Sequence, residues 1–264
     1  MKAKDFEFDG KKLSDFGFVI CNFGSKGLET IHGSEITFNT IPSFNGLKYN
    51  LASTTYDTCL ETTIQICRYS CVVDIEEIPA TLYREISHWL NRRKFLKFKL
   101  LEENYIDLYY MATVKNIGRI EIDGKLIGLE LNIITNSPFP RKEPNIITIR
   151  NTESNGTYSI NDISYEEGHI YPHTEIKISE DGDLKIHNAV EDRTTYIANC
   201  KKDEIITMDY PIITSSLSSH IIQNDFNWNF FRIANTYDNS RNDLTISLPC
   251  TIKIEYSPIV KIGL

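Results

Sequence analysis

The chain has 264 residues, a formal net charge of −8, 41% hydrophobic residues and 24% charged residues. This composition is ordinary for a folded globular protein, and the negative charge disfavours sequence-specific nucleic-acid binding, which relies on Lys and Arg to hold phosphates. No run approaches the roughly 18 apolar residues of a membrane span, and Met1–Asp5 lacks the apolar segment of a signal peptide, so we expect a cytoplasmic product without membrane insertion.

The first predicted element is a β-hairpin. Phe6 and Phe8 lie on one face of a strand, Asp9-Gly10 is a typical hairpin turn, and residues 13–20 alternate as the returning strand. Strand signals then recur on either side of a turn, so the beginning of the chain predicts a sheet. These further signals are the strands 35–41 and 59–66 and the turn Pro42-Ser43-Phe44-Asn45-Gly46.

A helix is the best-defined element of the first half. Pro79 suits its first turn, and apolar residues recur along one face at helical spacing. Arg92-Arg93-Lys94 follow its end, where cations complement the helix dipole, and we favour this role over a nucleic-acid contact. The apolar face, which we expect to pack on the sheet, consists of Leu82, Ile86, Trp89 and Leu90.

A meander and a domain boundary follow the helix. The strand signals lie in residues 95–100, 107–114, 119–122 and 126–131, with Asp123-Gly124 as a turn. Pro138, Pro140 and Pro144 then disfavour regular structure. We therefore predict a first domain of residues 1–139 and a second domain of residues 140–264.

The second domain is predicted almost entirely as short strands. Many short strands without helical stretches favour a β-sandwich, so the whole chain is expected to be mainly β with one helix. The clearest signals are residues 146–149, 175–178, 183–186, 204–208, 244–248 and 251–256.

The six cysteines are scattered, as expected for reduced thiols in a chain too large to need disulfides. Cys67 and Cys71 invite a zinc hypothesis. However, both fit one face of a strand, and no second pair of ligands at suitable spacing follows them. We interpret them as apolar fillers of a sheet.

No familiar catalytic motif occurs in the chain. The best acid/base cluster is Glu166-Glu167 with His169 and His173, but Gly168 and Pro172 predict a solvated, mobile loop there. We therefore expect no catalytic residue, no metal site, no cofactor and no enzyme activity.

Aromatic residues of the second domain support an alternative function, a carbohydrate-binding module that recognises a host cell-wall glycan. Trp228 belongs to this aromatic set, yet it shares a strand pattern with Phe226 and Phe230, which favours packing in the core. The candidate glycan-facing residues are Tyr158, Tyr165, Tyr171 and Tyr237.

The order of these motifs resembles the distal tail protein family of long-tailed siphophages, the hub component of the baseplate. Pro42-Ser43 replaces an expected Pro-Gly turn, and residues 236–243 form a longer polar loop than is typical. The likeness rests on Phe6–Gly10 with Asp15-Phe16-Gly17, on Pro42–Gly46, on Ile86–Leu90 with Tyr109–Val114, on Asn136–Phe139, on Asp203–Asp209 and on residues 228–256.

The resemblance implies a first domain that combines a β-sandwich with a helix and assembles into a homohexameric ring, and a galectin-like second domain. It implies a place in the virion at the tail tip, after assembly in the cytoplasm of the bacterial host. The implied partners are the tail tube protein, tail-tip or tail-associated proteins and receptor-binding proteins, with DNA passing through the lumen. A galectin-like fold does not by itself confer sugar binding.

Overall fold

The computed structural model describes residues 4–23, 36–40, 51–56, 59–68, 76–103, 105–236 and 238–261. Within these ranges the protein is mainly β, as predicted from the sequence. The chain divides into two compact units; the first comprises the residues up to Arg141 and also Lys261, and the second spans Lys142–Val260. In the ranges given above, no helix is long and apolar enough to cross a membrane.

The first unit contains a large antiparallel sheet with strand order β2-β1-β7-β8-β9-β6-β3, in which β10 also pairs with β8, and a separate β4-β5 ribbon. Its elements are β1 Phe6–Phe8, β2 Lys11–Lys12, β3 Phe18–Cys21, β4 Ile36–Thr40, β5 Leu51–Tyr56, β6 Glu61–Arg68, α1 Ala80–Leu90, β7 Leu96–Leu100, β8 Leu108–Ile122, β9 Lys125–Thr135 and β10 Arg141–Lys142.

The opening hairpin forms, but its returning strand is shorter than predicted. Asp9 and Gly10 adopt φ values of 53° and 75°, which suit the tight turn between β1 and β2. The prediction of one strand over residues 13–20 was wrong, because Leu13–Phe16 forms a 3-10 helix. Asp15 Oδ2 accepts a hydrogen bond from the Lys12 amide at 2.9 Å, and Gly17 ends the turn with φ 73°. The chain then enters β3, which pairs with β6.

The helix α1 packs as the sequence predicts. Ile86, Trp89 and Leu90 are buried, whereas Leu82 is half-buried at the edge of the same core. The Trp89 indole donates a 3.0 Å hydrogen bond to the carbonyl of Phe8 in β1, which fixes the helix on the sheet. Arg92 Nε donates to the Trp89 carbonyl at 3.1 Å, so this residue caps the helix end.

The two predicted strands 107–114 and 119–122 are one continuous strand, β8. Its pairing with β9 shifts register between Val114 and Asn116, and the irregular pairing explains why the sequence pattern breaks there. Asp123 and Gly124 form the turn to β9 with φ values of 50° and 72°, as predicted. The turn residues 42–46 lie outside the described residues.

The second unit is a β-sandwich. One sheet has the order β11-β21-β14-β17-β18, the facing sheet has the order β12-β20-β15-β16, and β13-β19 form a small ribbon. The elements are β11 Asn145–Asn151, β12 Gly156–Asn161, β13 Gly168–Ile170, β14 His173–Ile178, β15 Gly182–Asn188, β16 Arg193–Cys200, β17 Ile205–Asp209, β18 Ile212–Ser215, α2 Ile222–Asp225, β19 Ile233–Asn235, β20 Arg241–Ile246 and β21 Cys250–Tyr256.

Alternating side chains build the core between these two sheets. Every second residue of β14 is buried, and Ile176 and Ile178 meet Leu184 and Ile186 of the facing sheet in one apolar cluster. This alternation is the pattern that predicted the sandwich, and it buries the apolar face of each strand.

Three of the five described cysteines behave as apolar core residues. Cys67, Cys200 and Cys250 are buried thiols, and Cys21 and Cys59 are also free. Burial raises the pKa of both Cys200 and Cys250 to about 12, so these thiols stay protonated and unreactive at neutral pH. Cys71, the second member of the suggested pair, lies outside the described residues.

Candidate binding surfaces

The predicted acid/base cluster lies only partly on a loop: Glu166 and Glu167 precede β13 outside any strand, whereas the two histidines lie in strands. His169 lies in β13 and His173 begins β14, because the chain pairs on both sides of Pro172. His169 Nε2 lies 2.7 Å from a carboxylate oxygen of Glu191. Across the part of the chain that the structure describes, no three His, Cys, Asp or Glu side chains come together in a way that could hold a metal ion.

The four candidate tyrosines occupy different environments. Tyr158 is half-buried against the sandwich core, and its hydroxyl lies 3.0 Å from the Arg150 carbonyl oxygen. Tyr165 and Tyr171 are exposed, and Tyr237 lies outside the described residues. Tyr158 therefore has the environment of a packing residue, whereas Tyr165 and Tyr171 have ring surface available to a ligand.

Tyr165 lies at an open polar cleft with a volume of about 480 Å³. The floor of the cleft is held by Asp162, whose Oδ1 accepts hydrogen bonds from the Ser164 amide at 3.0 Å and hydroxyl at 2.8 Å. Its Oδ2 accepts a 3.0 Å hydrogen bond from Asn235. These buried polar groups therefore satisfy one another and stabilise the loop without a ligand.

A second surface is formed by Tyr171, Tyr210 and Trp228, which we call the aromatic platform. The rings of Tyr171 and Tyr210 stack with centroids 4.3 Å apart. The buried Phe230 joins them to Trp228, since its ring lies 5.3 Å from that of Tyr210 and 6.5 Å from that of Trp228. All three members of the platform are exposed, and 56% of Trp228 is accessible.

The expectation that Trp228 packs in the core was wrong. Phe226 and Phe230 are buried as predicted, but the segment between them is not a strand. Trp228 adopts φ 60°, in the left-handed region. This turn directs its side chain away from the core side of the segment, on which Phe226 and Phe230 are buried. Strand alternation would have put all three residues on one side.

Side-chain hydrogen bonds hold the Trp228 turn against β16. The Asn227 amide nitrogen Nδ2 donates to the Thr194 carbonyl at 2.9 Å. Asn227 Oδ1 accepts from the backbone amides of Tyr196 and Asn229, both at 3.1 Å. The turn is thus fixed on the neighbouring strand before any ligand arrives.

Polar residues fix the other end of the platform. Arg232 binds Glu191 through two nitrogens, with Nε 3.0 Å from one carboxylate oxygen, and these hydrogen bonds raise the pKa of Arg232. Arg232 Nη1 also donates to the Tyr171 hydroxyl at 3.3 Å. His169 also contacts Glu191. The platform therefore borders a compact polar group in which Arg232 and Glu191 carry opposite charges.

A buried polar cluster lies near the short helix α2. His220 Nδ1 is 2.6 Å from Glu204 Oε1, and Ser215 donates to the same oxygen at 2.5 Å. Burial alone would raise the pKa of Glu204, but hydrogen bonds from Ser215, the Lys201 amide and His220 hold it below its ordinary value. His220 Nε2 lies 3.2 Å from Asp225, outside hydrogen-bonding geometry. The cluster ties β17, β18 and α2 together.

Family comparisons identify the class of protein that has this two-unit fold. A family model described as a phage tail protein N-terminal domain matches residues 1–137, and one described as a phage tail C-terminal domain matches residues 140–256. The chain belongs to this family of phage tail proteins. It is thus a structural component of a bacteriophage tail, and neither matched family is one of enzymes. No curated protein matches the sequence.

Among solved structures, the protein is similar to the Dit protein of phage SPP1, described as a paradigm of the hub adsorption apparatus in phages that infect Gram-positive bacteria. The TM-score is 0.68 with 10% sequence identity, and the match covers 97% of this chain and 99% of the Dit chain. The resemblance drawn from the sequence is therefore confirmed: this is a phage tail protein with the fold of a distal tail protein.

Proposed function

We propose that this protein forms the hexameric hub ring of a phage tail tip. The ring joins the tail tube protein to tail-tip or tail-associated proteins and to receptor-binding proteins, and it is assembled in the cytoplasm of the bacterial host. The observation that carries the proposal is the agreement between two matches: the phage tail family covers both units, and the fold of a hub protein covers 97% of the chain.

Exposed apolar residues occur in both units, and we propose that those of the first unit lie in the ring interface. Four large apolar side chains are exposed in the first unit, and covering them in an interface would remove their apolar surface from water, which is favourable. They are Phe38, Phe95, Ile106 and Ile122. Within the described residues, the large sheet also ends in the strands β2 and β3, each of which pairs with one neighbouring strand. A closed ring covers such patches and edges by symmetry, without leaving them open for further growth.

The charge of the protein fits a lumen through which DNA passes. With a net charge of −8, the chain carries more acidic than basic residues, which disfavours holding phosphates by counterion release. DNA would therefore move through the ring without being bound. We propose no catalytic role, cofactor or metal for this structural task.

Light scattering and averaged electron micrographs of the purified full-length protein test the ring. We expect closed six-fold particles with about six times the 30.4 kDa mass of one chain. Ile122→Asp should weaken the ring, because it places a charge on the first unit's exposed apolar surface. Ile146→Asp is the matched control, since both isoleucines are 55% exposed but Ile146 belongs to the second unit.

Truncation at the predicted boundary tests the division of labour. Residues 1–139 should still form rings, and residues 140–264 should fold as a soluble monomer. A full-length protein that stays monomeric at high micromolar concentration, and that forms no ring with the tail tube protein, would refute the hub proposal. Rings disrupted equally by both isoleucine variants would refute the role of the first unit.

A further inference from the structure

We propose that the aromatic platform of the second unit binds a neutral saccharide. This function goes beyond the proposed hub, because a ring can assemble whether or not its outer units bind a glycan. The inference starts from three exposed aromatic rings, Tyr171, Tyr210 and Trp228, which are linked by ring contacts through the buried Phe230. The rings of Tyr210 and Trp228 both contact Phe230, so their centroids lie within about 12 Å of each other. This distance is on the scale of a short oligosaccharide.

Trp228 provides an observation that core packing does not explain. A bulky residue at φ 60° is rare, and such a conformation costs on the order of 1–3 kcal/mol unless its surroundings impose it. Asn or Gly adopts this backbone far more easily. Here the position carries the largest side chain and leaves 56% of it in water. Stability alone therefore favours a different residue at this place, whereas a binding surface uses an exposed indole.

The platform is also organised before it meets a ligand. Asn227 fixes the Trp228 turn through hydrogen bonds to Thr194, Tyr196 and Asn229. At the other end, Tyr171 is held by its stack with Tyr210 and by Arg232. A fixed surface loses little conformational entropy on binding, which allows weak individual contacts to give useful affinity.

The chemistry of the surface favours a neutral, hydroxyl-rich ligand. The negative faces of aromatic rings attract the polarised C–H groups on one side of a sugar ring. Arg232 is already neutralised by Glu191, whose side chain is only 10% exposed, so this guanidinium is not available to select a phosphate or carboxylate. The Tyr171 hydroxyl and the half-exposed His169 offer a donor and an acceptor for sugar hydroxyls at the platform's edge.

Tryptophan fluorescence of the full-length protein gives a direct test. The chain has two tryptophans, Trp89, which is 3% exposed, and Trp228. Neutral oligomers of glucose, galactose and N-acetylglucosamine are the probes, and a ligand on the platform should change the emission of Trp228. Calorimetry with the same probes measures affinity in variants that lack the indole.

Trp228→Asn removes the indole but keeps a residue that tolerates left-handed φ. We expect at least a tenfold loss of affinity, about 1.4 kcal/mol, with an unchanged or higher melting temperature and intact rings. Tyr210→Ala should weaken binding similarly. Tyr165→Ala is the matched control, an exposed tyrosine of the same unit outside the platform, and should bind like the wild type.

The proposal is overturned if no neutral oligomer binds at millimolar concentration, or if Tyr165→Ala rather than the platform variants abolishes binding. It is also overturned if the oligomers fail to bind while a purified tail protein binds and loses contact in Trp228→Asn, because the platform would then be a protein interface. Ring formation is measured on the same samples, so failure of the hub proposal is seen separately.

Discussion

The burial of the helix α1 makes a quantitative prediction for Ile86. Its side chain is fully buried in the first unit's core, whereas its neighbour Glu85 is exposed on the same helix. Ile86→Ala removes buried methyl groups and leaves a cavity, which typically costs about 2–5 kcal/mol. A domain has only about 5–15 kcal/mol of stability, so this is a large fraction of the total.

Ile86→Asp should be more severe, because the new carboxylate has no buried partner and adds several kcal/mol of desolvation. We expect no soluble, folded first unit from this variant. Leu82→Asp, at a half-buried position on the same face, should destabilise the unit less than Ile86→Asp does.

Urea unfolding followed by tryptophan emission measures these effects. In a Trp228→Asn background, Trp89 is the only tryptophan and lies one turn from Ile86 on α1. With a urea slope of about 1–3 kcal/mol per molar, Ile86→Ala should lower the midpoint by about 1–2 M. Glu85→Ala should change stability by no more than about 0.5 kcal/mol. Equal midpoints for the two variants would refute the packing of this face.

Two further predictions concern the second unit. Because hydrogen bonds hold the pKa of Glu204 below its ordinary value of 4.5, its carboxylate stabilises the fold fully above that pH, and this contribution is lost as the pH falls through the lowered pKa. Melting temperatures of wild type and Glu204→Gln should therefore converge on acidification, and a constant gap would contradict this. Asn242→Ala should cost about 3 kcal/mol or more, since it leaves both backbone groups of Ala234 and the Asn188 amide without partners. Asn188→Ala removes only one of these bonds and should cost less in the same melting assay.

The elements predicted well are those whose signals are local. The apolar spacing from Leu82 to Leu90 after Pro79 defines a helix because neighbouring turns place these residues on one face. Strands such as β14 and β21 alternate between core and solvent, so their sequences show which face is buried. The sandwich follows from many such strands.

Elements that hydrophobicity does not define were missed. The sequence of β16 does not show the alternation of apolar and polar residues, because a polar residue, Thr195, lies on its buried side. The residues 13–16 alternate like a strand, yet the Asp15 side chain binds the Lys12 amide and Asp5 binds Ser14, which favours a 3-10 turn. Local hydrogen bonds of this kind compete with strand pairing and leave little trace in hydrophobicity.

The platform illustrates a different limit. Tyr171 and Tyr210 stack although they are 39 positions apart in the sequence, so no spacing rule joins them. Trp228 was assigned to the core because its alternation with Phe226 and Phe230 is sound for a strand. One residue with a left-handed backbone reverses that conclusion and moves the indole to the surface.

Such a reversal is itself informative about function. Most of this chain is consistent across levels, since local propensity, hydrophobic pattern and packing favour the same structure in α1 and in the sandwich strands. At Trp228 they disagree: the backbone suits Asn or Gly, the side chain suits a core, and the observed residue is exposed. Folding gains only the contacts of the partly covered indole with Phe226 and Phe230, and the Asn227 hydrogen bonds that impose this backbone would hold a smaller residue equally well. The disagreement is therefore best explained by a ligand that contacts the indole. The difference in free energy of unfolding between the wild type and Trp228→Asn measures how much stability the exposed indole costs.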